Sequence, residues 1–478
     1  MSMAFQGNKS FSVETPRNEE YGSEYDDDGR IKRTGTWVTA SAHIVTAVIG
    51  SGVLSLAWAF AQLGWIAGPI ILITFSLITL YTSFLLCDCY RYPDPVNGKR
   101  SHNYMEMVKN ILGGTKHKLS GLAQYANLVG VSIGYTITAS ISMVAIKRSN
   151  CFHKYGHDAE CHTSNYPFMT IFGIVQILLS QIPDFHELSF LSIIAAVMSF
   201  GYAIIGVCLS IARIAEGHHV ETSLTGLQVG VDVTSSEKLW NTSQALGNMA
   251  FAYGFSMVIV EIEDTLRSNP PENKEMKKAS SVGVFITTVF YMSCGILGYA
   301  AFGNKAPGNF LTGFGFYEPY WLVDIGNVFI VIHLVGAYQV FAQPIFTLVE
   351  NWCKKRWPNS NFMSKEYHIN IPMIGIFKLN FLRFIWRTLF VVFTTVVAII
   401  LPFFNSVVGL LGAITFWPLT VYFPIEMYLV QAKVPKYSPT WIGLKMLSMF
   451  CLLVTLFAGV GSIEGIVMDL KKFKPFTE

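Results

Sequence analysis

Charge is what this sequence lacks. Only 14% of its 478 residues are Asp, Glu, Lys or Arg, where a soluble globular chain carries about a quarter. The deficit is uneven: long uncharged runs alternate with short polar knots. A water-soluble enzyme or binding module cannot solvate such a surface, whereas a chain threaded repeatedly through a lipid bilayer needs it. The formal net charge of +3 offers no broad basic face, so no nucleic-acid partner is expected.

Other absences narrow the class. No GxxxxGK[ST] loop occurs, which speaks against a nucleotide-driven pump. Neither an HExxH pair nor a strand-to-helix nucleophile elbow is visible, so no catalytic residue is assigned and the chain does not read as an enzyme. No metal or cofactor is expected. Cysteine is sparse, with eight residues scattered along the chain. Cys87 and Cys89, in "LLCDCYR", have no histidines at zinc-ligand spacing and read as buried thiols. Only Cys151 and Cys161 share one polar loop, and they are the candidate disulfide. Residues Met1 to Thr34 lack the apolar core of a secretory signal and carry an acidic knot, "EYDDDGR" (Glu24 to Arg30). They read as a mostly disordered cytosolic tail.

What is present is apolar length. Eleven stretches are long enough to cross a bilayer: about 36–62, 66–89, 119–146, 166–182, 189–213, 241–264, 280–303, 321–348, 384–403, 407–430 and 441–468. Placing the N-terminus in the cytosol puts most of the Lys and Arg on the inner side and the C-terminus outside. The same choice puts Cys151 and Cys161 outside, where a disulfide survives. The sequence therefore predicts an all-α polytopic membrane protein.

Spans 1 and 6 carry conspicuous interruptions. Span 1 reads "SAHIVTAVIGSGVLSLAWAFAQLGW", with an IGSG step in its middle, and span 6 reads "QALGNMAFAYGFSMVIVEIEDT", with Gly254 between Tyr253 and Phe255. Lipid offers no water to a freed backbone group, so a break at that depth needs protein or ligand to satisfy it. Two broken helices five spans apart, opposite in direction, point to a five-plus-five inverted repeat whose binding site lies between them. The division is then a tail (1–35), a first repeat (36–213), an outer loop (214–240), a second repeat (241–430) and a remainder (431–478) holding the eleventh helix and a short outer end. Amides following Ile49, from Gly50, Ser51 and Gly52, suit a carboxylate at a half-helix N-terminus. Carbonyls around Ala252, Tyr253 and Gly254 suit an ammonium. Donors on one wall and acceptors on the other fit the two ends of an α-amino acid. Close helix packing through glycine is the competing explanation of each break taken alone.

Six motifs, "GTWVTASAHIVTAVIGSGVLSLAWAFAQLGWIAGP", "GYTITASISMVAIKRSNCFHK", "SQIPDFHELSFLSIIAAVMSF", "GYAAFGNKAPGNFLTGFGFYEPYWL", "HLVGAYQVFAQPIF" and "FWPLTVYFPIEMYL", resemble plant amino acid permeases, a branch of the amino acid/auxin permease family. The likeness runs from about Asp26 to Phe476. It implies a proton-coupled amino acid importer of the plasma membrane, with amino acids and protons as its small-molecule partners, the lipid bilayer as its solvent and no obligate subunit. An amino acid facilitator or exchanger without proton coupling, or a sensor, remains the alternative. Two positions depart from the family pattern: Asn248 stands where an aspartate is usual, and Glu263 where a glutamine is usual. They leave the preference among acidic, neutral and basic substrates open.

Ionisable groups at membrane depth are costly and therefore candidates for function. His43 lies seven residues before Gly50 and Glu261 seven after Gly254, so each should stand roughly 10 Å to the cytosolic side of its break. They are candidate partners in a proton-responsive inner gate; two independent interfacial residues are the alternative. His333, mid-way along span 8, falls where related inverted-repeat folds hold a cation beside the broken span 1. Its titratable ring is a candidate proton site, or else a neutral buried imidazole bonded to a carbonyl. Asn127 in span 3 and Trp417 in span 10 complete the candidate substrate residues, Asn127 also serving as possible interhelical glue and Trp417 as a kink residue.

Overall fold

The computed structural model describes residues 25–156, 158–182, 189–217, 219–314, 319–371 and 375–472. Span 1 begins with the helix Trp37–Val48, started by a capping box between Thr36 and Thr39. It unwinds at Ile49 and Gly50, tightens into the short 3-10 turn Ser51–Ser55, and continues as helix to residue 63. Gly64, at φ 79°, turns the chain straight into span 2, 65–89. A Cβ at Gly64 would strike the backbone of Leu224 and Gly226, so only glycine fits this turn under the outer loop. Spans 3 to 5 are Gly114–Tyr155, Tyr166–Ser180 and Ser189–Ala215. The string GVSIG, Gly130 to Gly134, lies inside the first of these helices rather than on a strand-to-helix turn.

Span 6 is Ser235–Ala252, started by a Thr234–Glu237 capping box, then a break, then Ser256–Glu263. Spans 7 to 9 are Glu272–Phe302, Tyr320–Arg356 and Phe381–Ile400. Span 10 runs through Phe404–Thr415, a π-helical segment Phe416–Tyr422 and Phe423–Gln431, and span 11 is Pro439–Lys472. Spans 8 and 9 are joined through an antiparallel hairpin, Glu366–Ile371 with Gly375–Asn380.

Helix contacts repeat with a shift of five. Span 1 packs on span 7 as span 6 packs on span 2; span 3 packs on span 10 as span 8 packs on span 5; span 2 packs on span 10 as span 7 packs on span 5. Adjacent spans alternate in direction, so a helix and its counterpart five positions on are antiparallel. That is an inverted five-plus-five repeat. Span 11 packs along spans 6 and 10, with Gly461 against Ser243 and Gly465 against the Gln244 side chain.

The tail departs from expectation. Residues 1–24 lie outside the described residues, but Tyr25 to Gly35 is docked. Arg33 binds Asp28 at 2.7 Å, Asp264 at 2.8 Å and Asp26 at 3.0 Å. Arg91 and Arg100 bind Asp27 and Glu272, and Gly35 bridges Thr265 and Arg267 through its backbone. An acidic knot is solvated and mobile by itself; here arginines from distant loops neutralise it. The hydrogen bond from Arg33 holds the Asp28 carboxyl well below the usual carboxylate range.

Candidate functional site

At the break in span 1, Gly50 adopts an extended conformation (φ −134°, ψ −152°). The amides of Gly50, Ser51 and Gly52 meet no acceptor among the described residues, leaving three donors at the start of a half-helix. Gly52 packs tightly on span 6: a Cβ there would stand 3.1 Å from Ala252 Cα and 3.3 Å from Phe251 Cδ1.

Span 6 frees fewer carbonyls than the sequence suggested. The Tyr253 and Gly254 amides fold back on the Ala250 and Phe251 carbonyls, and the Phe255 amide on that of Tyr253. The Ala252 carbonyl accepts from the Tyr291 hydroxyl at 3.1 Å. The carbonyl of Gly254 alone among Ala252 to Gly254 meets no donor among the described residues.

Between the breaks lies a cavity of about 60 Å³. Gly50, Ser51, Gly52, Asn127, Ala252 and Gly254 line it, with Tyr135, a second polar residue of span 3, and Phe255 beside Gly254; Val48, Phe251, Phe341 and Thr415, which sequence reasoning did not single out, line it too. Ile49 and Tyr253 are fully buried behind the wall, the Tyr253 hydroxyl donating to Thr288 Oγ1 at 2.9 Å. The Asn127 amide reaches Met257 Sδ at 3.7 Å. Trp417 is not brought to the cavity. Its indole, within the π-helical segment Phe416–Tyr422, donates to Ser448 of span 11 at 3.2 Å.

Two stripes lead from the cavity towards the end that carries the tail. His43 and Ala47 share one face of the helix Trp37–Val48, and Met257 and Glu261 share one face of the helix Ser256–Glu263. Ala47 and Met257 line the cavity; one turn further on, His43 and Glu261 are both exposed. Among the described residues no ion pair or hydrogen bond joins His43 to Glu261. At the opposite end Ser51 to Ser55 and Ala252 are buried. The loop 214–240 lies against the far end of the same half-helix, with the Leu227 amide on the Ala61 carbonyl and the Lys238 ammonium on that of Gln62.

His333 is buried, and its Nδ1 lies 2.7 Å from the Ala195 carbonyl of span 5. A carbonyl only accepts, so Nδ1 carries a proton, and whenever the ring is neutral its lone pair is at Nε2. Among the described residues that Nε2 has no hydrogen-bond partner, and it stands 4.0 Å from where a Cβ on Gly50 would lie. Spans 8, 5 and 1 thus meet at an unfilled proton acceptor beside the break. Cys151 and Cys161 form a disulfide, and Cys87 and Cys89 are buried free thiols.

The family model described as "Transmembrane amino acid transporter protein" matches residues 33–468. The chain belongs to the plant amino acid permeases of that family. It is 63% identical to "Amino acid permease 6" of Arabidopsis thaliana over 98% of both chains. It is 62% identical to "Amino acid permease 8" of the same plant, over 94% of this chain and 95% of the other. Among solved structures, MhsT in complex with L-phenylalanine aligns with 91% of this chain and 100% of its own, at 10% identity and a TM-score of 0.49. This is a family of membrane transporters and not of enzymes.

Proposed function

We propose that the chain carries amino acids into the cell together with protons, by alternating access across the plasma membrane. The observation that carries this reading is the cavity between two interrupted antiparallel helices, with three free amides on one wall and the Gly254 carbonyl on the other. Both ends of a zwitterion are met by backbone alone, so recognition is of the α-amino and α-carboxyl groups that every amino acid shares. Among the described residues no Asp, Glu, Lys, Arg or His side chain lines the cavity, which favours substrates whose side chain is uncharged. No cofactor enters; the coupling ion is the proton.

With the tail in the cytosol, the exposed stripes ending at His43 and Glu261 make this an inward-facing arrangement, closed outside by the loop over span 1. His333 takes a proton from the outer side, and its charge beside Gly50 changes the preference of the broken helix between its two arrangements. Protonated, substrate-loaded protein then isomerises more readily than half-loaded forms. Glu261 and His43 guard the inner exit, where protonation of the carboxylate releases the gate.

The test is uptake of labelled amino acid into vesicles holding the purified protein. Accumulation above equilibrium under an imposed inward proton gradient, abolished by a protonophore, is the expected result. Equilibration without accumulation makes the protein a facilitator or exchanger, and binding without movement makes it a sensor.

A further inference from the structure

Tyr291 stands in the middle of span 7 and is fully buried. Its hydroxyl donates to the carbonyl of Val48, the last helical residue before the break in span 1. The same oxygen lies 3.1 Å from the carbonyl of Ala252, the last helical residue before the break in span 6. One side chain on an unbroken helix therefore touches both discontinuities. Its ring is held from the side, 5.5 Å between centroids in an edge-on contact with Tyr253. The Tyr253 hydroxyl is fixed in turn by Thr288, which bonds Ser76 of span 2 at 2.7 Å.

We propose that Tyr291 is a positioning residue that sets the two breaks at the spacing the shared α-amino and α-carboxyl groups of an amino acid require. This rests on reading the cavity as the amino acid site. The arithmetic of donors supports it. A phenol has one proton, and two carbonyls offer two lone pairs each, so acceptor capacity remains on both oxygens after Tyr291 has bonded. Val48 and Ala252 both line the cavity. A substrate ammonium entering there finds these carbonyls already drawn towards one point from opposite helices, next to the free Gly254 carbonyl. Without the hydroxyl each carbonyl is set by its own half-helix, and the donor wall at Gly50 to Gly52 loses its fixed distance from the acceptor wall. Tyr291 acts on the part common to all amino acids, so its loss weakens every substrate by one factor. A residue that touches substrate side chains discriminates among them instead.

The experiment compares Tyr291→Phe, which removes only the oxygen, with Tyr338→Phe, which removes an equally buried hydroxyl bonded to Thr394 between spans 8 and 9 and to neither broken carbonyl. KM is measured in expressing cells for a small and a bulky uncharged amino acid, with surface amount counted by an external tag. Ligand-induced rise in melting temperature of the purified proteins gives affinity without depending on surface amount. The expected result for Tyr291→Phe is a KM raised about tenfold, the size of one hydrogen bond, for both amino acids alike, while Tyr338→Phe stays near wild type. An unchanged KM in Tyr291→Phe, an equal shift in Tyr338→Phe, or a shift for one amino acid only overturns the proposal. Wild-type protein that moves and binds no amino acid overturns the underlying reading instead.

Discussion

The unpartnered Nε2 of His333 faces Gly50 across the break in span 1, while its Nδ1 is tied to the Ala195 carbonyl. The tie fixes which nitrogen is bare and where it points. His333→Ala removes that acceptor and leaves the residues that line the cavity in place. Gradient-driven accumulation is expected to fall by about tenfold or more, with amino acid affinity in the absence of a gradient nearly unchanged. Normal accumulation in the variant returns the ring to a packing role.

Gly50 and Gly52 are separable. A Cβ on Gly50 meets only His333 Nε2, at ordinary contact distance, and the residue's backbone is extended. A Cβ on Gly52 presses on Ala252 and Phe251 and wedges the two breaks apart, at a cost of about 1–3 kcal/mol. Gly52→Ala is expected to abolish uptake while reaching the membrane; Gly50→Ala is expected to retain measurable uptake. Kinetics normalised to surface amount check both, and the reverse order contradicts the packing described.

Glu261 ends the exposed stripe of span 6. Glu261→Gln keeps the shape and removes the titration, so the rise of uptake with external acidity between about pH 8 and 5 should flatten. An unaltered pH profile and rate would remove Glu261, and with it the His43 gate, from the coupling scheme.

The docked tail has its own pH signature. Asp28 is held below the ordinary carboxylate value by Arg33, so its contribution is complete above the unfolded value of about 3.9 and is lost only as pH falls through the lower folded value. From pH 8 to 5 the tail should therefore stay docked. Limited proteolysis of the tail is expected to be constant over that range in the wild type. It should be faster at every pH in Asp264→Asn, which weakens the bonds to Arg33, Arg30, Tyr90 and His102. Cleavage that rises as pH falls from 8 to 5 would contradict the ion-pair account.

What could be read beforehand followed from local rules. The IGSG step and the lone Gly254 marked the breaks because glycine in an apolar run has few explanations, and the span count followed from apolar length. What escaped was set by distant partners. The acidic knot meets Arg91, Arg100 and Asp264 only when folded, so it read as a free tail. Tyr291 sits in span 7 like any buried aromatic, and nothing local says that its hydroxyl reaches two other helices. Trp417 read either as a wall of the cavity or as a kink residue beside Pro418; in the fold it lies in a π-helical segment and bonds Ser448 of span 11. The carbonyls of span 6 looked free because the tight turn that consumes them has no signature beyond the glycine itself.

The central claim is that an amino acid lies between the two breaks, held by backbone. A density map of the protein with bound amino acid tests it most directly. The account predicts the carboxylate on the amides of Gly50 to Gly52 and the ammonium among the carbonyls of Val48, Ala252 and Gly254. Continuous helices through spans 1 and 6, or a ligand seated away from both, would contradict it.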